Sequence, residues 1–514
     1  METRRNPDSG GISRRDFLET SALGAAAFTV SASAFQASAA QPKSEKKPNL
    51  VFVCADQLRC QSCGYAGDSK ARTSNINRLA GESANFTNAI SGYPMCAPYR
   101  ASLFTGKYPS STGMVINEIR CMPDPDAIGH VLTAGGYQTG YIGKWHLYGR
   151  NHTPSEQFCP PGPYRLGFNG YWAAHNFNHE YYKAFYYRDT FDRVQVNGYE
   201  PDVQTDVAID FLRRCGQQGE KPFALFLSYG TPHDPWNWTN CPEEYNNLFR
   251  EVEFPDPPNY ADGSAEYWSP NMTPDWWMKS WKPNRLRYRQ VYYAMTANLD
   301  WNVGRLLKAL DEQNLSRDTV FVFTSDHGEM SGAHGRIAKK IFYEEAIRIP
   351  FLLRWPEKVP AGRVCDACLD VPDVMPTLLS LMGLPIPSSI EGMDLSHAAL
   401  GKAGPEPEAA FLQGMGHTFQ WRDGDEWRAL RDKRYTYAIM RVGRSEYLYD
   451  NRNDPYQMKN LANDPSHADT LTRFRDMLRR RMAKLNDTFE STTWYGEHWT
   501  KDRIILRSAA RRLE

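Results

Sequence analysis

The 514-residue sequence predicts an α/β protein: a large, mostly parallel sheet flanked by helices, with a smaller C-terminal antiparallel α+β subdomain. Three observations predict it. Near-continuous apolar runs at 49–55, 223–229 and 319–325 have the pattern of strands buried on both faces. Helical patterns separate them, the alternation that builds parallel sheets. Past a Pro-, Ser- and Gly-rich stretch at 385–408, strand-like runs at 427–430, 435–440 and 446–449 follow closely, and a helix over 467–485 closes them. These signals divide the chain into an N-terminal α/β domain over 47–400, a C-terminal unit over 405–490 and a basic tail over 491–514.

Composition narrows the class. Hydrophobic residues make up 41%, enough for a folded core. Lys+Arg and Asp+Glu are 60 each, so no overall basic field argues for a nucleic-acid partner. The ten cysteines include Cys60/Cys63 and Cys365/Cys368. Their wide separation and lack of knuckle-like glycines favour buried thiols over a zinc site, with local disulfides as the other reading.

In chain order, Ser13-Arg14-Arg15-Asp16-Phe17-Leu18 matches the twin-arginine export pattern, and Ala37-Ser38-Ala39 suits cleavage. Residues 1–39 are therefore expected to be an export signal. No permanent membrane anchor is expected, and a periplasmic or secreted location follows. The first buried strand ends in Asp56-Gln57. In open α/β sheets ligands bind beyond the carboxyl ends of strands, so Asp56 is a metal ligand or a helix N-cap. A helix at 73–80 and a strand at 84–89 follow.

Cys96-Ala97-Pro98-Tyr99-Arg100 then opens a short apolar helix stopped by Thr105-Gly106. It sets a thiol at a helix N-terminus, where free N–H groups favour an anion, and a guanidinium one turn on. After a helix at 126–134, a strand from 138 leads into Lys144-Trp145-His146. An extended chain would point Lys144 and His146 to one side as an oxyanion site. Residues 150–200 read as irregular loops near the substrate, and 202–214 as a helix. His233 follows the 223–229 strand. The Trp- and Pro-rich 236–283 insertion reads as a wall or lid, and 287–314 as a long helix. Asp326 and His327 follow the third apolar strand. Further on come a strand at 349–354 and a helix at 371–381.

Carboxylates converging at one sheet edge suggest a hard divalent cation, and Lys, Arg and His around it suit a tetrahedral oxyanion. That is the chemistry of sulfuryl or phosphoryl transfer.

The chain resembles the type I, formylglycine-dependent sulfatases of the alkaline phosphatase-like superfamily. The likeness rests on Cys96-x-Pro98-x-Arg100 with Thr105-Gly106, Gly143-Lys144-Trp145-His146, Thr231-Pro232-His233, Ser325-Asp326-His327-Gly328 and the 335–343 run. Leu448-Tyr449-Asp450 and Asn460-Leu461-Ala462 resemble the family's C-terminal subdomain. The resemblance implies that a maturation enzyme oxidises Cys96 to formylglycine, whose hydrate is the nucleophile. It implies Asp56, Gln57, Cys96, Asp326 and His327 as the metal site. Many members have two acids where this chain has Asp56-Gln57, and some have Asn in place of His327. Calcium is the usual ion, with magnesium or manganese open. Arg100 would hold the nucleophile, and Lys144 and Lys339 the sulfate. Lys339 is preferred to Lys340 because it lies four residues before Tyr343. His233 would protonate the leaving oxygen, and His146 would assist release. The implied substrate is a sulfated glycan or small molecule. Alternatives are a phosphonate or phosphate ester hydrolase of the superfamily and a choline-type sulfatase.

Overall fold

A computed structural model describes residues 46–150, 153–219, 221–263 and 273–510. The export signal expected at 1–39 lies outside the described residues.

Ten strands form the main sheet: β1 (Asn49–Asp56), β2 (Ala84–Ile90), β3 (Gln138–Lys144), β4 (Tyr171–His175), β5 (Phe185–Tyr187), β6 (Arg193–Gln195), β7 (Phe223–Pro232), β8 (Thr319–Ser325), β9 (Phe351–Arg354) and β10 (Arg363–Asp370). Their order is β10-β2-β9-β8-β1-β7-β3-β4-β5-β6. Five neighbours, β8, β1, β7, β3 and β4, run parallel, so their carboxyl ends share one edge. The edge strands β5 and β6 and the inserted β9 are antiparallel to their neighbours.

The apolar run of β1 explains the layering. Leu50, Phe52 and Cys54 face one core with the helices Cys96–Thr105 and Val371–Leu381. Val51, Val53 and Ala55 face another with the helices Glu200–Gln218 and Lys282–Glu312. A strand whose alternate residues all find apolar partners needs no polar face.

A second, antiparallel sheet orders β11 (Ala410–Gly414), β12 (Trp427–Arg431), β13 (Tyr435–Met440) and β14 (Glu446–Asp450) in sequence. The helix Ala468–Lys484 covers one face through Leu471, Phe474 and Leu478. The other face packs on Ile341, Phe342 and Ile347. The stretch after 490 forms a helix, Thr492–Trp499, and a small hairpin, and Trp499 and Ile505 enter the first core.

One reading changes and two are sharpened. The 150–200 stretch carries β4 to β6, which are too short and too aromatic to show a clean period. Cys365 and Cys368 lie on β10, at either end of a register shift, and all ten cysteines are free and buried. Within 236–283, Trp277 and Trp281 stack at 4.2 Å in a small core with Ile337, whereas Trp276 is half-buried. Among the described residues no helix is long and apolar enough to cross a membrane.

Gly143, one residue before the end of β3, has φ +97°, and a Cβ there would meet the Ser228 carbonyl oxygen at 2.1 Å. Gly143→Ala should lower stability by about 2–5 kcal/mol, read as a shifted denaturation midpoint.

Candidate active site

The shared carboxyl edge gathers the site. β8 delivers Asp326 and His327, β1 delivers Asp56 and Gln57, and β7 delivers His233. β3 ends at Lys144, and the chain after β4 brings His179. The helix carrying Cys96 starts beneath them, its N-cap Met95 extended and its end set by Gly106 at φ 65°.

Asp56 is the hub. Its carboxylate accepts a short hydrogen bond from Lys144 Nζ and lies 3.8 Å from the Arg100 guanidinium. Arg100 also donates to Asp326 Oδ2 at 3.3 Å, the Ser228 hydroxyl at 2.5 Å and the Lys144 carbonyl at 2.9 Å. Gln57 adopts φ 67° and donates its backbone N–H to Asp326 Oδ1 at 3.0 Å. Its side-chain amide donates to Glu329 at 2.6 Å, which aims its carbonyl oxygen at Lys339 Nζ, 2.8 Å away.

Cys96 Sγ lies 3.4 Å from His327 Nε2, 3.5 Å from Lys339 Nζ and 3.7 Å from Asp56 Oδ1. Lys339, not Lys340, therefore reaches the thiol. One donor atom each from Asp56, Cys96, Asp326 and His327 falls within 4.8 Å of the others, a spread one cation can bridge. Two carboxylates and an imidazole fit a divalent ion; a thiol is the soft outlier among them.

Burial and charge set the protonation states. Burial opposes the charge on Asp56, yet Lys144 holds its carboxyl well below the usual range. Burial and the Asp56 charge push Asp326 up to about 6. Burial raises the Cys96 thiol, so it stays protonated. Burial, aided by Lys339, drives His327 well down, leaving a neutral imidazole free to ligate.

Two Lys–His pairs flank the cleft. Lys339 Nζ lies 2.8 Å from His233 Nε2, and Lys144 Nζ lies 3.0 Å from His179 Nε2. An ammonium can only donate, so each Nε2 accepts and each ring carries its proton on Nδ1. In His233 that proton faces the Asp234 carbonyl at 2.9 Å. The ring centroids lie 3.8 Å apart with the planes tilted by 37°, and burial with cationic neighbours keeps both neutral, His179 at about 3.

His146 reaches the cavity by a different route from the expected one. The strand ends at Lys144, and His146 has φ 56°, so a turn rather than a shared strand face brings it near. Both its ring nitrogens lack partners. The cavity, about 230 Å³, is walled by Cys96, His146, Phe177, His179, His233 and Lys339 among others, with Thr418 and Phe419 from the second sheet's first loop. The sequence reading did not single out His179 or Glu329. Glu329 sits in the same run as Asp326, a legible position; His179 depended on recognising β4.

Comparison with known proteins finds one family. The sulfatase family model matches residues 48–384, and the model for the N-sulphoglucosamine sulphohydrolase C-terminal region matches 332–485. An ulvan-active sulfatase of Formosa agariphila is 35% identical over 459 residues, covering 87% of this chain and 84% of its own. An endo-4-O-sulfatase of Bacteroides thetaiotaomicron is 29% identical, covering 89% and 95%. A Bacteroides fragilis crystal structure solved under the name sulfatase yidJ superposes with a TM-score of 0.76 at 30% identity, covering 89% and 99%.

A divalent ion held only by the folded chain stabilises it. After chelation, Ca2+ at about a hundred times its dissociation constant should add about 2.7 kcal/mol, seen as a higher melting temperature. Asp326→Asn should abolish that response.

Proposed function

The chain belongs to the sulfatase family and is a sulfuric ester hydrolase; from that premise we propose that it removes sulfate from a carbohydrate, using a nucleophile made from Cys96. The observation that carries the proposal is the set of contacts at Cys96 Sγ: His327, Lys339 and Asp56 within 3.7 Å.

A thiol is a poor partner for the hard donors around it, whereas an oxygen at the same position would join them. A maturation enzyme would convert Cys96 to formylglycine, whose hydrate offers one hydroxyl to attack sulfur and a second to expel sulfate afterwards. Asp56, Gln57, Asp326 and His327 would hold a divalent metal, calcium by family usage. That ion would supply positive charge opposite the attacking oxygen. Arg100, already fixed by Ser228 and the Lys144 carbonyl, would fix the nucleophile's orientation. Lys144 and Lys339 would take the sulfate oxygens, and His179 would close that cage. The S–O bond to the sugar breaks, and the leaving oxygen takes its proton from the Lys339–His233 pair. His146, whose ring nitrogens lack partners, would assist release. Overall, one water converts the sulfate ester to alcohol and sulfate.

Support for a sugar comes from the relatives' substrates and from a second cavity of about 180 Å³. It is lined by Trp236, Trp276, Trp281 and Tyr288 and shares Asp234 and Ala338 with the first. Flat aromatic faces beside polar groups suit a pyranose ring. Export through the twin-arginine route, to the periplasm or beyond, belongs to the same proposal: that route carries folded cargo already modified in the cytoplasm. Replacing Arg14 and Arg15 by Lys should leave the protein inside the cell.

Cys96→Ala should lower 4-nitrophenyl sulfate turnover by at least about 10³-fold with an unchanged circular dichroism spectrum. Mass spectrometry of the wild-type peptide should show the aldehyde at residue 96. Activity in the alanine variant, or faster turnover of a phenyl phosphonate than of the sulfate, would sink the reading.

A further inference from the structure

The cavity wall holds a cation for which the proposed reaction has no use. Lys340 lines the cavity next to Lys339 but makes no contact with Cys96. Its backbone is pinned on both sides: the N–H donates to the Pro94 carbonyl at 3.2 Å, and the carbonyl accepts from Trp427 Nε1 at 2.9 Å. Between those bonds the residue adopts φ 75°, a left-handed conformation that a lysine takes only when its surroundings impose it.

The side chain is only 10% exposed, yet its nearest acid, Asp425, lies 3.9 Å away and is itself 37% exposed. That separation is beyond hydrogen-bond length. Of the other acids on the wall, Asp234 sits 3.1 Å from His233 Nδ1. Burial, joined by the like charges of Arg336, Arg422 and Lys339 and opposed by Asp425, lowers Lys340 to about 8, which leaves it an ammonium at neutral pH. Within reach of its charge lies His417, fully buried with neither ring nitrogen partnered, its ring 5.8 Å from the cavity residue Phe419. A buried ammonium whose counter-ion stands 3.9 Å off and partly in solvent is only partly compensated, and an incoming anion adds to that compensation.

We propose that Lys340, with His417 nearby, is a second anion subsite, holding a carboxylate or further sulfate that the substrate sugar carries beside the scissile ester. This rests on the carbohydrate sulfatase reading and narrows it to a polyanionic glycan. The reacting sulfate is met by Lys144 and Lys339, so the two anions are read by separate lysines. Such a charge-assisted contact gives selectivity between substrates rather than chemistry.

The test uses 4-nitrophenyl sulfate, which carries a single anion, as reporter. Three competitors are added: a monosulfated disaccharide with a uronate, the same disaccharide with its carboxyl reduced to an alcohol, and a glucosamine bearing two sulfates. The wild-type enzyme should be inhibited at least tenfold more tightly by the uronate form, the disulfate or both than by the reduced form. Which of the two binds tighter identifies the group the subsite takes. Lys340→Gln should erase the preference to within about twofold, keep kcat/KM on the reporter within threefold, and melt within a few degrees of wild type; Lys340→Arg should retain most of the preference. No preference in the wild type, a preference that survives Lys340→Gln, or an equal loss on the reporter overturns the subsite. No turnover of the reporter by wild-type enzyme indicts the sulfatase reading instead.

Discussion

A knot of buried charge governs this molecule. Asp56, Asp326, Arg100, Lys144 and Lys339 are all removed from water, and each alone would cost several kcal/mol there. They coexist because each sign faces the other. Asp56 holds Lys144 and approaches Arg100, Arg100 reaches Asp326, and Lys339 rests on the Gln57 carbonyl. Three cations against two carboxylates leave a positive excess before any metal adds to it. A sulfate group entering such a place meets the missing charge. The knot also fixes the fold's tolerances, since its members come from different strands. A slip of one residue in β1, β8 or β3 would turn a charge into an apolar layer.

The histidines show how that field acts on neutral groups. His179, His233 and His327 are held uncharged by burial and by the cations around them. Each can then do what an imidazolium could not: accept a lysine N–H or offer a lone pair to a metal. The Lys144–His179 and Lys339–His233 pairs stand side by side, so the lysines are steered by acceptors that add no competing negative charge. Glu329 serves the same end at one remove, taking the Gln57 amide so that its oxygen faces Lys339.

Much of the architecture was legible because the central strands are buried on both faces. The runs 49–55, 223–229 and 319–325 fall within β1, β7 and β8, and the polar residues that follow them, Asp56, His233 and Asp326, marked the functional edge. The edge strands β5 and β6 have three residues each, and β4 has five, so no period could reveal them; His179 was hidden with them. His146 was expected near the site but for a reason that fails, since local left-handed backbone, not strand alternation, places it. Residue types cannot disclose such a turn beforehand. Nor could they separate Lys339 from Lys340 without the family pattern. The structure does so by pinning the Lys340 backbone between Pro94 and Trp427.

The floor and the wall of the cavity have different origins. Strand ends of the main sheet supply the floor, while Thr418 and Phe419 come from the loop between β11 and β12, tied across by a hydrogen bond from the Asn117 N–H to the Thr418 carbonyl. That loop can lengthen, shorten or change sequence without moving Asp56, Cys96 or Asp326. The charged floor and this part of the wall thus lie on separate pieces of chain. Exchanging the 415–426 loop between relatives is the natural way to retarget the enzyme, and duplicated copies could drift toward new glycans while the reaction itself stayed fixed.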